Sequence, residues 1–168
     1  MVFAGAGSGK TMVITHRVAY LVHERAVAPW RILAVTFTNK AAGEMRERLC
    51  RLLPEGAEGL WIGTFHATCA RLLRRFSERC GVGKDFAIYD DVDQRALLAR
   101  LGRDQGLDDR LYPPELLARL INRAKREGLG IDYRSRLGPS ARVFEQVYEQ
   151  YQQRLDRAGA LDFGDLIY

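Results

Sequence analysis

The run Ala4-Gly5-Ala6-Gly7-Ser8-Gly9-Lys10-Thr11 sets three glycines at alternate positions ahead of a lysine and a hydroxyl, the make-up of a loop that wraps its backbone around phosphate oxygens. Gly5, Gly7 and Gly9 supply the freedom by which successive N–H groups converge on an anion. A helix opening at the end of the loop adds the partial positive charge of its N-terminus. In such a loop Gly5, Ala6, Gly7, Ser8 and Gly9 cradle the phosphates, Lys10 reaches the β- and γ-phosphates as a compact cation, and the Thr11 hydroxyl ligates Mg²⁺. Ala4 stands where the pattern has its first glycine. Only four of the 26 basic residues are lysines, Lys10, Lys40, Lys84 and Lys125, so the two nearest the N-terminus call for specific roles. The loop predicts binding of ATP or GTP; the plainer alternative is a flexible glycine turn capping a helix.

A phosphate loop also works with a carboxylate from another strand end, which holds the metal through water. Residues 1–80 contain no aspartate. Phe86-Ala87-Ile88-Tyr89-Asp90-Asp91 imitates the required pattern, but no glutamate follows to orient a water, and capping of a helix near Val92 is the preferred reading. The metal carboxylate is expected beyond Tyr168. Thr36-Phe37-Thr38-Asn39-Lys40 sits where a strand gives way to a helix: Thr38 or Asn39 is a candidate cap, Phe37 a stacking face and Lys40 a phosphate contact. Gly63-Thr64-Phe65-His66 repeats the arrangement, with His66 near a helix start as a cap or surface group. Cys50, Cys69 and Cys80 share no metal-ligand or disulfide spacing.

Those residues need a frame, and hydrophobic periodicity supplies one. Residues 9–25 carry Val13, Ile14, Val18, Leu21 and Val22 at helical intervals, 32–37 form an apolar β-branched run, and Ala42, Met45, Leu49 and Leu52 stripe a second helix that Pro54 ends. Leu60–Thr64 reads as another strand. Phe65, Cys69, Leu72, Leu73, Phe76 and Cys80 stripe a third helix, with Arg71, Arg74, Arg75 and Arg79 on its other face. Strand–helix alternation predicts an α/β doubly wound parallel sheet whose ligand sites gather at the carboxyl ends of the strands. After Gly83 the pattern turns helical, with a possible strand at 86–89 and helices near 92–105, 114–127 and 140–158. A helical insertion is the natural reading, on which Arg123, Lys125 and Arg126 form a possible duplex contact.

The 168 residues, 47% hydrophobic and 28% charged, fit one domain with a small insertion and exclude disordered, collagen-like and coiled-coil classes. No apolar run is long enough for a membrane span and no leader pattern opens the chain, so a cytoplasmic protein is expected. Residues 1–80 hold 12 basic against 6 acidic side chains, and residues 81–168 hold 14 against 15. The basic excess of the first half favours a polyanionic partner.

Gly5–Thr11, the run TFTNKAAGEMRER over residues 36–48, Gly63-Thr64-Phe65-His66 and Leu161-Asp162-Phe163-Gly164-Asp165-Leu166 together resemble the UvrD/Rep/PcrA family of superfamily 1 DNA helicases. The resemblance spans nearly the whole chain. It implies a P-loop NTPase of RecA-like fold, a partial parallel sheet over residues 1–88, an inserted all-helical subdomain over 89–160, and a return to the core over 161–168. It further implies an ATP- and Mg²⁺-dependent translocase that moves 3′ to 5′ on single-stranded DNA, meets a duplex junction, and serves in DNA repair or replication. Lys10 and Thr11 take catalytic roles, and Thr36, Phe37, Thr38, Asn39, Lys40, Gly63, Thr64, Phe65 and His66 line the strand's path. The adenine-clasping segment, the acidic box, the glutamine sensor and the arginine finger of that family have no counterpart here. The chain is therefore expected to be a fragment with little ATPase of its own, partnered by the rest of a helicase including a second RecA-like domain. A nucleotide kinase, or a non-catalytic module holding nucleotide or single-stranded DNA, remains as an alternative.

Overall fold

A computed structural model describes residues 9–167, Lys10 by its backbone alone. The described residues form two compact units, divided between Thr68 and Cys69.

The first unit begins with α1 (Lys10–His23), followed after a short 3₁₀ turn by β1 (Leu33–Thr36), α2 (Asn39–Leu52) and β2 (Trp61–Thr64). β1 and β2 pair in parallel, Leu33 opposite Trp61 and Thr36 opposite Thr64, so their carboxyl ends coincide. Val18, Ile32, Ala34, Met45, Leu49 and Leu53 close a single core between the two helices and one sheet face. Leu33, on the other face, is exposed. Val22, near the end of α1, meets Gly56, just past the end of α2: a Cβ on Gly56 would lie 3.4 Å from Val22 Cγ1. The packed helices α1 and α2 therefore run in the same direction and begin at the same end of the unit, the end where both strands finish.

The helix α3 (Phe65–Arg75) carries the chain across the division. The single helix expected over 65–80 is interrupted: Phe76 adopts φ −113°, ψ 23°, and a separate turn, α4 (Ser77–Cys80), follows. In the second unit β3 (Ala87–Tyr89) leads to α5 (Asp91–Asp104), α6 (Pro114–Arg126), a 3₁₀ stretch over Gly130–Arg136 and α7 (Ala141–Arg157). The chain then returns as β4 (Ala160–Asp162), parallel to β3 with Ala87 opposite Ala160, and ends its described part in α8 (Phe163–Ile167). Leu98, Leu101, Leu117, Ile121, Phe144, Val147, Tyr151 and Leu155 fill the main core of this unit, and Phe86 and Leu166 enclose Ala70 in a smaller cluster. Both sheets are parallel, and helix and strand mix as the periodicity predicted, but among the described residues each sheet has two strands instead of forming the one doubly wound sheet expected.

Candidate functional site

Gly5, Ala6, Gly7 and Ser8 lie outside the described residues. Gly9, where the loop meets α1, has φ 76°, a left-handed conformation that disfavours a side chain. It accepts the Val13 N–H at 3.0 Å, while among the described residues no side chain caps α1 and no acid occupies its first turn. A helix start of this kind suits an anion, since its first N–H groups and its dipole face outward without a competing carboxylate. Thr11 is half-buried in that first turn.

The rim formed by the strand ends is described in full. Thr36 and Thr64 are register partners, and each is followed at once by a phenylalanine. The rings of Phe37 and Phe65 lie 5.5 Å apart at 49°, a tilted pair within the favourable range for aromatic contact. Phe37 is 89% exposed and Phe65 43%, so most of this aromatic surface faces solvent. The two strand ends start their helices by the same device. Thr38 Oγ1 accepts the Ala41 N–H at 3.1 Å, and Thr64 Oγ1 accepts the Ala67 N–H at 3.2 Å, each satisfying a first-turn donor that would otherwise lack a partner. Thr38, not Asn39, is the cap of α2. Asn39 and Lys40 are exposed in its first turn, Thr36 and Gly63 are half-buried, and His66 is half-buried one residue into α3. Arg46, two turns into α2, donates from Nη2 to the Ile62 carbonyl at 2.8 Å.

Two sequence expectations need correction. The third helix does not bury its aromatic stripe: Phe65, Leu72 and Phe76 are exposed, whereas Thr68, Ala70 and Ser77 are buried. Small side chains let the helix approach its neighbours closely, and hydrophobicity alone does not register that preference. The arginines of its other face, Arg71, Arg74, Arg75 and Arg79, are exposed, with Arg74 4.6 Å from the centroid of the Phe86 ring and Arg75 5.8 Å from that of Phe76. Lys125 is not available to a duplex, being 1% exposed, and neighbouring Arg123 pairs with Glu127 at 2.8 Å. Asp90, by contrast, does what the capping reading predicted. Its carboxylate accepts the N–H groups of Asp93 and Val92 at 2.9 and 2.7 Å, and the Asp93 carboxylate accepts the Asp90 N–H in return. Those backbone donors, Asp93's first, hold Asp90 below the usual carboxylate range.

The largest polar feature escaped the sequence reading. Lys125 Nζ lies 2.8 Å from Asp162 Oδ2 and 2.7 Å from Asp165 Oδ1, with Lys125 and Asp162 buried and Asp165 partly so. Tyr151 donates to Asp162 Oδ2 at 2.8 Å, and Gln94 Nε2 approaches the same oxygen at 3.2 Å while exchanging two hydrogen bonds with Asn122. Burial alone would raise Asp162, but the Lys125 charge and its donors hold it below the ordinary value. For Asp165 burial prevails over Lys125, and with the neighbouring Asp162 charge it raises the group. Burial and then the Asp162 charge raise the Tyr151 phenol. Gly164 is required by this packing, because a Cβ there would stand 2.8 Å from Lys125 Cδ and 3.0 Å from Asp162 Oδ1. Lys125 follows Leu117, Ile121 and Ala124 on the buried face of α6, a periodicity that could have revealed it.

Among the described residues no cluster of histidine, cysteine and carboxylate side chains could hold a metal, and no helix is long and apolar enough to cross a membrane. The ATP-dependent DNA helicase PcrA of Bacillus subtilis (strain 168) is 44% identical over 99% of this chain and 23% of its own length. The ATP-dependent DNA helicase UvrD1 of Mycobacterium tuberculosis (strain ATCC 25618 / H37Rv) is 48% identical over 99% of this chain and 22% of its own, and the PcrA of Leuconostoc citreum is 46% identical over 99% and 23%. The chain thus spans less than a quarter of the length of these relatives. The UvrD/REP helicase N-terminal domain matches residues 1–168 from end to end, and the chain belongs to that family.

Proposed function

We propose that this chain forms the ATP-Mg²⁺ and single-stranded DNA binding portion of a 3′–5′ DNA helicase, in a P-loop, RecA-like domain carrying its helical segment as an insertion. The observation that carries this reading is the shared end of the first unit: α1, α2, β1 and β2 bring the start of the phosphate-loop helix and the Phe37–Phe65 pair to one end. Binding at one site can then be felt at the other through a single small core.

In this reading Gly5, Ala6, Gly7, Ser8 and Gly9 present backbone N–H groups to the triphosphate, Lys10 neutralises the β- and γ-phosphates, and the Thr11 hydroxyl ligates Mg²⁺. The nucleotide supplies the free energy of hydrolysis. Phe37 and Phe65 offer faces for unpaired bases, worth about 1–3 kcal/mol per stacked base. Asn39, Lys40 and His66 lie beside them for backbone contacts, with Thr36, Thr38, Gly63 and Thr64 shaping the path. Residues 89–160 meet the duplex junction, and the remainder of a longer helicase, working in DNA repair in the cytoplasm, supplies the second RecA-like domain.

A non-catalytic role for this chain taken alone has its own support. Among the described residues, the acids at strand ends are already committed: Asp90 caps α5 and Asp162 pairs with Lys125. The test combines two substitutions in the protein carrying this chain. Lys10→Ala is expected to weaken nucleotide binding at least tenfold and leave single-strand affinity without nucleotide unchanged, while Phe37→Ala does the reverse. Nucleotide affinity untouched by Lys10→Ala, or strand affinity untouched by Phe37→Ala, would overturn the corresponding half of the reading.

A further inference from the structure

Resting on the single-strand reading above, we infer that Arg46 is a positioning residue for the aromatic rim, setting Phe65 against Phe37 without touching the strand itself. The parallel register turns the Trp61 and Gly63 amides of β2 toward β1 and leaves the Ile62 carbonyl facing away from it. Arg46 Nη2 takes up that carbonyl at 2.8 Å, a charge-assisted bond on a donor fork of fixed geometry. Among the described residues Arg46 has no carboxylate partner; the ion pair on α2 is that of Arg48 with Glu44. The bond ties α2, which begins just after Phe37, to β2, which ends just before Phe65. The spacing of the two rings is thereby fixed from both sides: through the Thr36–Thr64 pairing on one edge of β2 and through Arg46 on the other. Without the second tie the outer edge of β2 keeps its packing on the core but loses its backbone bond to α2, and Phe65 can turn away from Phe37.

Because Arg46 is exposed, its substitution removes the tie without emptying the core. Binding of a fluorescent oligothymidylate is measured for Arg46→Met, Arg46→Lys, Phe37→Ala and the Arg46→Met/Phe37→Ala pair across a salt series, with thermal melting in parallel. Arg46→Met is expected to weaken binding about five- to tenfold, the value of one such bond. Arg46→Lys restores most of the loss, since one N–H donor suffices. Arg46→Met added to Phe37→Ala costs little more than Phe37→Ala alone, as two groups serving one surface are non-additive. The salt dependence stays parallel to that of the unmodified protein. A slope of log K against log salt reduced by about 0.7 would make Arg46 a direct phosphate contact and overturn the inference, and so would additive losses. If Phe37→Ala binds as tightly as the unmodified protein, the single-strand reading itself fails; if Phe37→Ala weakens binding and Arg46→Met does not, only the role of Arg46 fails.

Discussion

Removal of the Lys125 ammonium would leave the buried Asp162 and the partly buried Asp165 side by side without a counter-charge, a defect worth about 3–5 kcal/mol. Lys125→Met keeps the buried stem and loses the charge, so its unfolding free energy should fall by that amount in a urea titration read by far-ultraviolet circular dichroism. The two carboxylates respond to pH in opposite senses. Asp162, lowered from 3.8, contributes stability that is present above its unfolded value and lost as pH falls through its folded one. Asp165, raised from the same 3.8, contributes stability that is full below that value and fades as pH rises through its folded one. Asp165→Asn should therefore flatten the decline in stability as pH rises above the ordinary carboxylate value, measured as urea midpoints at each pH. None of this was legible from residue type, because a lysine beside two arginines is ordinarily a solvated group. Only the position of Lys125 one residue after Ala124, on the Leu117–Ile121 face of α6, betrayed it.

Among the elements, those bounded by strong local signals were legible to within a residue or two. Pro54 closed α2, Pro113-Pro114 opened α6, and Asp90 started α5 through the capping box that its spacing to Asp93 allows. The interruption at Phe76 was not legible, since Arg75-Phe76-Ser77 contains neither glycine nor proline and the apolar stripe runs through it. The 3₁₀ stretch over Gly130–Arg136 likewise carries no periodic signal. The paired caps of the rim depend on local chemistry, a hydroxyl oxygen at Thr38 on the surface and at the buried Thr64. Thr64→Ala should cost about 1 kcal/mol of stability, and Thr64→Ser, which keeps the accepting oxygen, should recover most of it in the same thermal melt.

For the molecule as a whole, the order of strands and helices was readable as far as α7 apart from the break at Phe76, but β4 and the pairing of strands far apart in the chain were not. Nothing in Ala87-Ile88-Tyr89 or Ala160-Leu161-Asp162 announces the other, and their register is set by the helices packed between them in sequence. The phosphate-loop reading rests instead on a local run of eight residues, of which the structure describes only Gly9, the Lys10 backbone and Thr11. A three-residue strand at the foot of three helices would ordinarily shed its amide hydrogens to solvent within moments. β4 is anchored otherwise: the carboxylate of its last residue engages Tyr151 of α7, Lys125 of α6 and Gln94 of α5. Its amides can then be released only when that helical unit opens as a body. Hydrogen–deuterium exchange should place Leu161 and Asp162 among the slowest sites of the protein, matched to the interior of α7, and Lys125→Met should bring their rates up to those of a frayed end.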